Sequence, residues 1–246
     1  MTPGGPGFSD YPIKVKINIS HSHFYMVSME EEYSEFLDIY DETLTKIGVK
    51  LRREVHKEGS WHKSFHCWIV RRDEKGDYLL FQKRGNDKLF LPNLYDITSA
   101  GHYSAGETME DGVRELQEEL GIEVNYSELK YLGFRIEIYK GEKIFNREFC
   151  DVHILRKDLE IKDYHVDETE VEGLIQIKIK DVMDLFTGRV DSVLAEGIEW
   201  DWGSMRWVDI RKKVTKDVFI PRIDQYYQKM CMIAKLFLNG DEDVFI

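Results

Sequence analysis

The chain has 246 residues, of which 42% are hydrophobic and 13% aromatic, enough core for one large domain or a domain with extensions. Its net charge of −12 offers no basic stripe to displace counterions, which excludes a nucleic-acid polymer as partner but not a small phosphorylated molecule held through a metal. No apolar run reaches membrane-span length, no signal pattern opens the chain, and its three cysteines (Cys67, Cys150, Cys231) are scattered, so a reduced cytoplasmic protein with no membrane partner is expected.

Residues 1–30 differ from the rest. MTPGGPGFSDYP is rich in Gly and Pro, and KVKINISHSHFYM then alternates with no evident core. The segment reads as a flexible arm, an added strand, or sequence ahead of a start at Met26 or Met29. Residues 31–185 read as one strand-rich α/β domain. EFLDIYDE, from Glu35, is a short strand running into a polar turn at Asp41-Glu42. Phe65–Arg71 and Tyr78–Gln82 are β-rich runs joined through Asp73, Lys75 and Gly76. A helix is expected after Thr108, capped with the help of Asp111. Met109, Val113, Leu116 and Leu120 would be its buried stripe, opposite a face of carboxylates. Leu129–Tyr139 and Glu148–Leu155 follow as strands around a turn at Lys140-Gly141-Glu142, then a strand at Val171–Ile177 and a helix from Lys180 to Phe186. Residues 188–216, with Trp200, Trp202 and Trp207, fit no pattern. Ile223–Leu238 repeats apolar residues at helical spacing (Tyr226, Met230, Ile233, Ala234, Phe237) and stops at Asn239-Gly240. Residues 186–246 are therefore expected to be a mostly helical extension packed on the domain.

Chemistry concentrates in Gly101–Ile122, GHYSAGETMEDGVRELQEELGI. Glu115, Glu118 and Glu119 stand at i, i+3 and i+4, which sets three carboxylates on one helical face. Like charges so placed repel. A hard divalent cation, Mg²⁺ or Mn²⁺, would compensate them and keep sites open for phosphates.

The segment resembles the Nudix box, G-x5-E-x7-R-E-U-x-E-E-x-G-U with U aliphatic. Gly101, Glu107, Arg114, Glu115, Leu116, Glu118, Glu119, Gly121 and Ile122 fill its fixed positions, with six residues instead of seven between Glu107 and Arg114. The resemblance implies a Nudix α/β/α sandwich with a mixed sheet. It also implies a Mg²⁺- or Mn²⁺-dependent hydrolase acting on a small-molecule partner, a nucleoside diphosphate derivative or related organic diphosphate. Glu115, Glu118 and Glu119 would hold the metal with the Gly101 carbonyl, Glu118 and Glu119 sharing in catalysis while Arg114 orients a glutamate. The general base is expected outside the box. Glu170, in a run resembling the segment before the family's last strand, is the first choice and Glu148 the second.

Arg53, His56, Gly59 and His62, followed by an aromatic–aliphatic strand, resemble the isopentenyl-diphosphate isomerase-like Nudix subgroup, with His56 one residue off the spacing. Phe219-Ile220-Pro221-Arg222 with Tyr226-Tyr227 resembles C-terminal extensions of that subgroup. This implies a second metal or substrate site at His56, His62, His102 and Glu148. Isomerase activity itself is disfavoured, because Ala100 stands where the isomerases carry a catalytic cysteine and Asn146 where they carry a further metal-binding glutamate. A methyl group cannot exchange a proton with an allylic carbon. A regulator that binds a nucleotide or sugar without catalysis would normally have lost box glutamates, which this chain keeps. Cys150 reads as core and Lys83-Arg84 as solvated surface. The N-terminal arm or a homodimer partner is an expected source of specificity beyond the box.

Overall fold

A computed structural model of the chain describes residues 34–86, 88, 91–141 and 144–246. The N-terminal arm and Glu142 of the predicted turn lie outside these residues. In chain order, β1 (Phe36–Tyr40), β2 (Lys46–Leu51) and helix α1 (Arg52–Glu58) precede the long strand β3 (Trp61–Asp73). Next come β4 (Gly76–Arg84), β5 (Tyr95–Asp96), β6 (Ser99–His102), helix α2 (Arg114–Leu120), β7 (Lys130–Lys140), β8 (Phe145–Arg156) and β9 (Val171–Lys178). Helix α3 (Ile179–Thr187), strands β10 (Val193–Asp201) and β11 (Arg206–Val214), and helix α4 (Tyr226–Leu238) complete the order.

Strand β3 carries Trp61, Phe65, Trp68, Ile69 and Val70 and is buried on both faces over most of its length, as a central strand must be. One edge runs parallel to β8 from Trp61 to Val70. Its other edge meets three antiparallel partners in turn: β1 at Trp61, β6 at Ser64–Cys67 and β4 at Val70–Asp73. The sheet is therefore mixed, as expected. On the N-terminal side of Val70, β3 and β4 diverge, and residues 95–102 fill the opening with β5 on β4 and β6 on β3. Thr98 spans the split. Its hydroxyl accepts from the Ile69 N–H at 3.0 Å and donates to the Leu80 carbonyl at 2.6 Å. An unmet backbone group buried there would cost about 1–3 kcal/mol.

Helices cover both faces. Val182 and Leu185 of α3 and Tyr226, Met230 and Ala234 of α4 pack with Trp68, Phe81 and Ile175. Leu116 and Leu120 of α2 pack with Phe65, Cys67 and Ile69 on the opposite face, joined by Ile161 and Tyr164. The result is an α/β/α sandwich.

The expected helix after Thr108 begins as a 3₁₀ turn over Met109–Val113, and Asp111 accepts from the Thr108 N–H at 2.7 Å, as the capping reading required. Met109 and Val113 are only half-buried, whereas Leu116 and Leu120 are fully enclosed. The carboxylates do not oppose this stripe: Glu115 and Glu119 are buried too, at 9% and 7% exposure. Neighbours in sequence sit about 100° apart on a helix, so one wide buried face holds both sets.

Residues 186–246 depart from the mostly helical expectation. Strands β10 and β11 extend the sheet from β9, and the helix begins at Tyr226, leaving Ile223 fully exposed. The strand pattern is interrupted by Gly197, where a Cβ would lie 2.1 Å from the Leu174 carbonyl oxygen of β9. Among the described residues no helix is long and apolar enough to cross a membrane. All three cysteines are free and buried.

Replacing Leu116 with Ala should cost about 2–5 kcal/mol, because Leu116 docks α2 on the sheet. Urea unfolding reads this directly, and a loss below about 1 kcal/mol would show that the helix is held some other way.

Candidate active site

At the split in the sheet a cavity of about 630 Å³ opens, lined by residues of α2, β3, β4, β6 and β8. Glu119 occupies the gap itself. Its carboxylate accepts from Gln82 Nε2 on β4 and from the Ala100 N–H on β6, each at 3.2 Å. Glu115 lies against Gly101, where a Cβ would come within 2.2 Å of the carboxyl group, so only glycine fits beneath it. Glu118 is about half exposed and lines the cavity.

Arg114 ties the box together. Its Nε donates to Glu107 at 2.9 Å, and Nη1 reaches Glu115 at 2.8 Å and Glu118 at 2.9 Å. Nη2 donates to the His102 carbonyl at 2.9 Å. The shortened spacing after Glu107 is spanned by the 3₁₀ turn, which rises about 2.0 Å per residue against about 1.5 Å in an α-helix. Glu107 therefore still meets Arg114, and it also accepts from the Ser104 N–H at 2.7 Å.

Burial, and then the charge of Glu119, push Glu115 above the ordinary carboxylate range. Burial raises Glu119 as well, with Glu170 adding to the effect and Lys88 opposing it. Arg114 alone does not offset the cluster. An all-oxygen donor set whose negative charge is only partly offset and that opens on a cavity suits a hard cation such as Mg²⁺ or Mn²⁺. On the rim, Glu170 accepts from Lys88 Nζ at 2.5 Å.

The histidines converge as their pattern implied. His56 from α1, His62 from β3 and His102 from β6 each bring a ring nitrogen within 4.8 Å of the other two. The β3–β8 register sets Glu148 beside His62. Its Oε1 lies 3.3 Å from His102 Nε2 and 3.5 Å from His62 Nε2. Asn146 donates to Oε1 at 2.7 Å and Ser64 to Oε2 at 3.0 Å. Although burial opposes it, hydrogen bonds from the two histidines hold Glu148 well below the carboxylate range. Burial and the nearby Arg52 hold His102 low. Three imidazoles and a carboxylate form a borderline donor set of the kind that transition metals take.

Asp96 and Glu137 line the cavity without any mark in the sequence, and they are joined by His66, close along the chain to His56 and His62, and by Arg222 of the C-terminal motif. Arg222 pairs with Asp96 at 2.6 Å and with Glu137. His66 shares a β3 face with His62 and Ser64, so strand alternation carried a signal for it. Burial lowers its pKa to about 3. Arg84, expected on a solvated surface, lines the cavity and reaches Asp96 at 3.3 Å, while Lys83 faces Glu199 at 3.8 Å. Cys150 is buried as read, with its thiol 3.5 Å from Glu148 Oε2.

The NUDIX domain family model matches residues 61–201, from β3 to the end of β10. The chain belongs to the Nudix family. It is 43% identical over 200 residues to an uncharacterised Nudix hydrolase of Clostridium acetobutylicum, spanning 81% of this chain and 95% of that one. It is 27% identical over 164 residues to an isopentenyl-diphosphate Delta-isomerase of Cutibacterium acnes, spanning 64% and 81% of the two chains. Isomerases thus stand among its Nudix relatives, in keeping with the histidine motif. A crystal structure of a Deinococcus radiodurans protein aligns with a TM-score of 0.45 at 21% identity, over 63% of this chain and 90% of that one. Helix α4 and Arg222 lie beyond the Nudix match.

Gly101→Ala should destabilise the protein by about 1–3 kcal/mol, because the new methyl group collides with the Glu115 carboxyl. Thermal unfolding at fixed protein concentration would register the loss; a variant as stable as the parent would mean that Glu115 is free to move aside.

Proposed function

We propose that this Nudix chain hydrolyses the diphosphate linkage of a nucleoside diphosphate derivative or a related organic diphosphate, with Mg²⁺ or Mn²⁺ as cofactor. The observation that carries the reading is the pair of buried, under-compensated carboxylates, Glu115 and Glu119, seated in the split of the sheet and opening on the cavity. Glu115, Glu118 and Glu119 would hold the ion, with the Gly101 carbonyl beside them. Bound there, a divalent cation supplies charge compensation and Lewis-acid polarisation of phosphate oxygens.

The protein's own groups do the rest. Arg114 fixes the glutamates through three ion pairs, so their geometry is set before substrate arrives. Lys88, beside Glu170 on the cavity rim, meets the negative charge of the phosphates. Glu170 takes the proton from the water whose oxygen attacks phosphorus, and the P–O–P bond breaks as the second phosphate leaves. Glu148, the second choice of base, is committed to His62 and His102. We assign those histidines, with His56 and Glu148, to a second metal or substrate site.

The isomerase alternative loses support at Ala100, which lines the cavity and whose methyl group carries no exchangeable proton. The non-catalytic regulator loses support from the retained Glu115, Glu118 and Glu119.

Purified protein should release product from at least one member of a panel of dinucleotides, nucleoside diphosphate derivatives and organic diphosphates when Mg²⁺ or Mn²⁺ is added. The double change Glu118→Gln, Glu119→Gln should lower kcat by a factor on the order of 10²–10³ or more, and undiminished turnover would sink the metal-hydrolase reading. Arg114→Lys should cost about 10–100-fold in activity or metal affinity. For the histidine site, metal content after dialysis against Co²⁺ should fall by one ion per chain in His62→Ala; unchanged content would remove that assignment.

A further inference from the structure

We propose that Arg222, which lies outside the Nudix match, is a specificity-determining residue, and that the inner end of the cavity selects an uncharged, hydroxyl-bearing group on the far side of the diphosphate. The proposal rests on the hydrolase reading above for the placing of the diphosphate.

The cavity floor follows one face of β3. Ser64 and His66 line it, and His62, next on the same face, is fully buried about 13 Å along the strand from His66 at the usual rise. Around His66 the walls are Asp96, Glu137, Ile220 and Arg222. A volume of about 630 Å³ matches pockets that enclose a whole small molecule, not a diphosphate alone. With the phosphates at the box glutamates, the inner end is left for the remainder of the substrate.

Charge there is balanced. Arg222 pairs with Asp96 at 2.6 Å and with Glu137, and its side chain is only 5% exposed. Arg135 pairs with Glu137 and with Asp224 at 3.0 Å, and Arg84 reaches Asp96 at 3.3 Å. Three guanidiniums thus face three carboxylates, and His66 is neutral at physiological pH because burial holds it low. Among the described residues, that end has no uncompensated charge to hold a further phosphate or carboxylate. A hydrocarbon would strip water from these groups without replacing its hydrogen bonds. A hydroxyl can donate to a carboxylate and accept from a guanidinium or an imidazole, so it satisfies both kinds of neighbour.

Arg222 is also fixed in place. The Tyr226 ring lies beneath the guanidiniums of Arg135 at 4.2 Å and Arg222 at 5.9 Å, and the Tyr226 hydroxyl accepts from Trp68 Nε1 at 2.9 Å. The C-terminal segment therefore supplies a wall of the pocket that is anchored to the central strand.

The test is equilibrium binding, by calorimetry with Mn²⁺ present, of three methylene-bridged diphosphate analogues that carry a sugar, a prenyl chain or a methyl group. The parent protein should bind the sugar analogue at least about tenfold more tightly than the other two. Arg222→Lys keeps the charge but loses the two-sided fork, and it should weaken the sugar analogue at least about tenfold more than the methyl analogue. Asp96→Asn, which removes the partner from the other side, should weaken the same analogue selectively, with thermal unfolding confirming that each variant folds. Equal or tighter binding of the prenyl analogue, uniform weakening of all three, or no binding of any would overturn the proposal. Selective binding without turnover of any diphosphate would defeat only the hydrolase reading, whereas turnover without discrimination would defeat only this inference.

Discussion

Two carboxylates buried in a split sheet are the constraint on which the rest of this structure depends. Glu119 fills the gap between β4 and β6, and Glu115 lies against the backbone of Gly101. Such groups are costly to bury unless something compensates them. Thr98 holds the gap open by satisfying Ile69 and Leu80 across it, the glycine leaves room for a carboxyl group, and Arg114 fixes the glutamates from the solvent side. Each of these features makes sense as support for a site whose missing charge is a cation.

From that point the cavity divides by chemistry. Box glutamates gather oxygen donors at α2, the histidines and Glu148 bring three imidazoles and a carboxylate together where α1, β3, β6 and β8 meet, and the inner end is a balanced set of ion pairs. Strand β3 links the last two regions, since its alternation puts His62 and His66 on one face. The C-terminal segment, outside the Nudix match, supplies Arg222 and Ile220 to the pocket and Tyr226 to the core beneath it. On the proposed reading, the fold supplies the reaction site and the extension shapes what fits beside it.

Much of this was legible in the sequence, for identifiable reasons. The box could be read because its residues act within one turn and helix, where spacing translates directly into geometry. Long strands such as β3 and β8 showed themselves by composition, and the histidines by their proximity along the chain. Short elements did not: β2 has no buried residue and α1 buries only Val55, so neither shows a period. Strand β10 was hidden by Gly197, which is there to let β9 approach. Arg222 and Asp96 are 126 positions apart, and nothing local marks them as partners. The burial of Glu115 and Glu119 was also illegible, because a charge run reads as solvated until the surface it faces is known.

The central claim is that this buried pair is a cation site, and Mn²⁺ binding followed by electron paramagnetic resonance tests it most directly. Titrating Mn²⁺ into the full chain should quench the free-ion signal, and the Glu115→Gln, Glu119→Gln variant, folded by circular dichroism, should bind at least one fewer ion per chain. Equal stoichiometry and affinity in the two proteins would contradict the account.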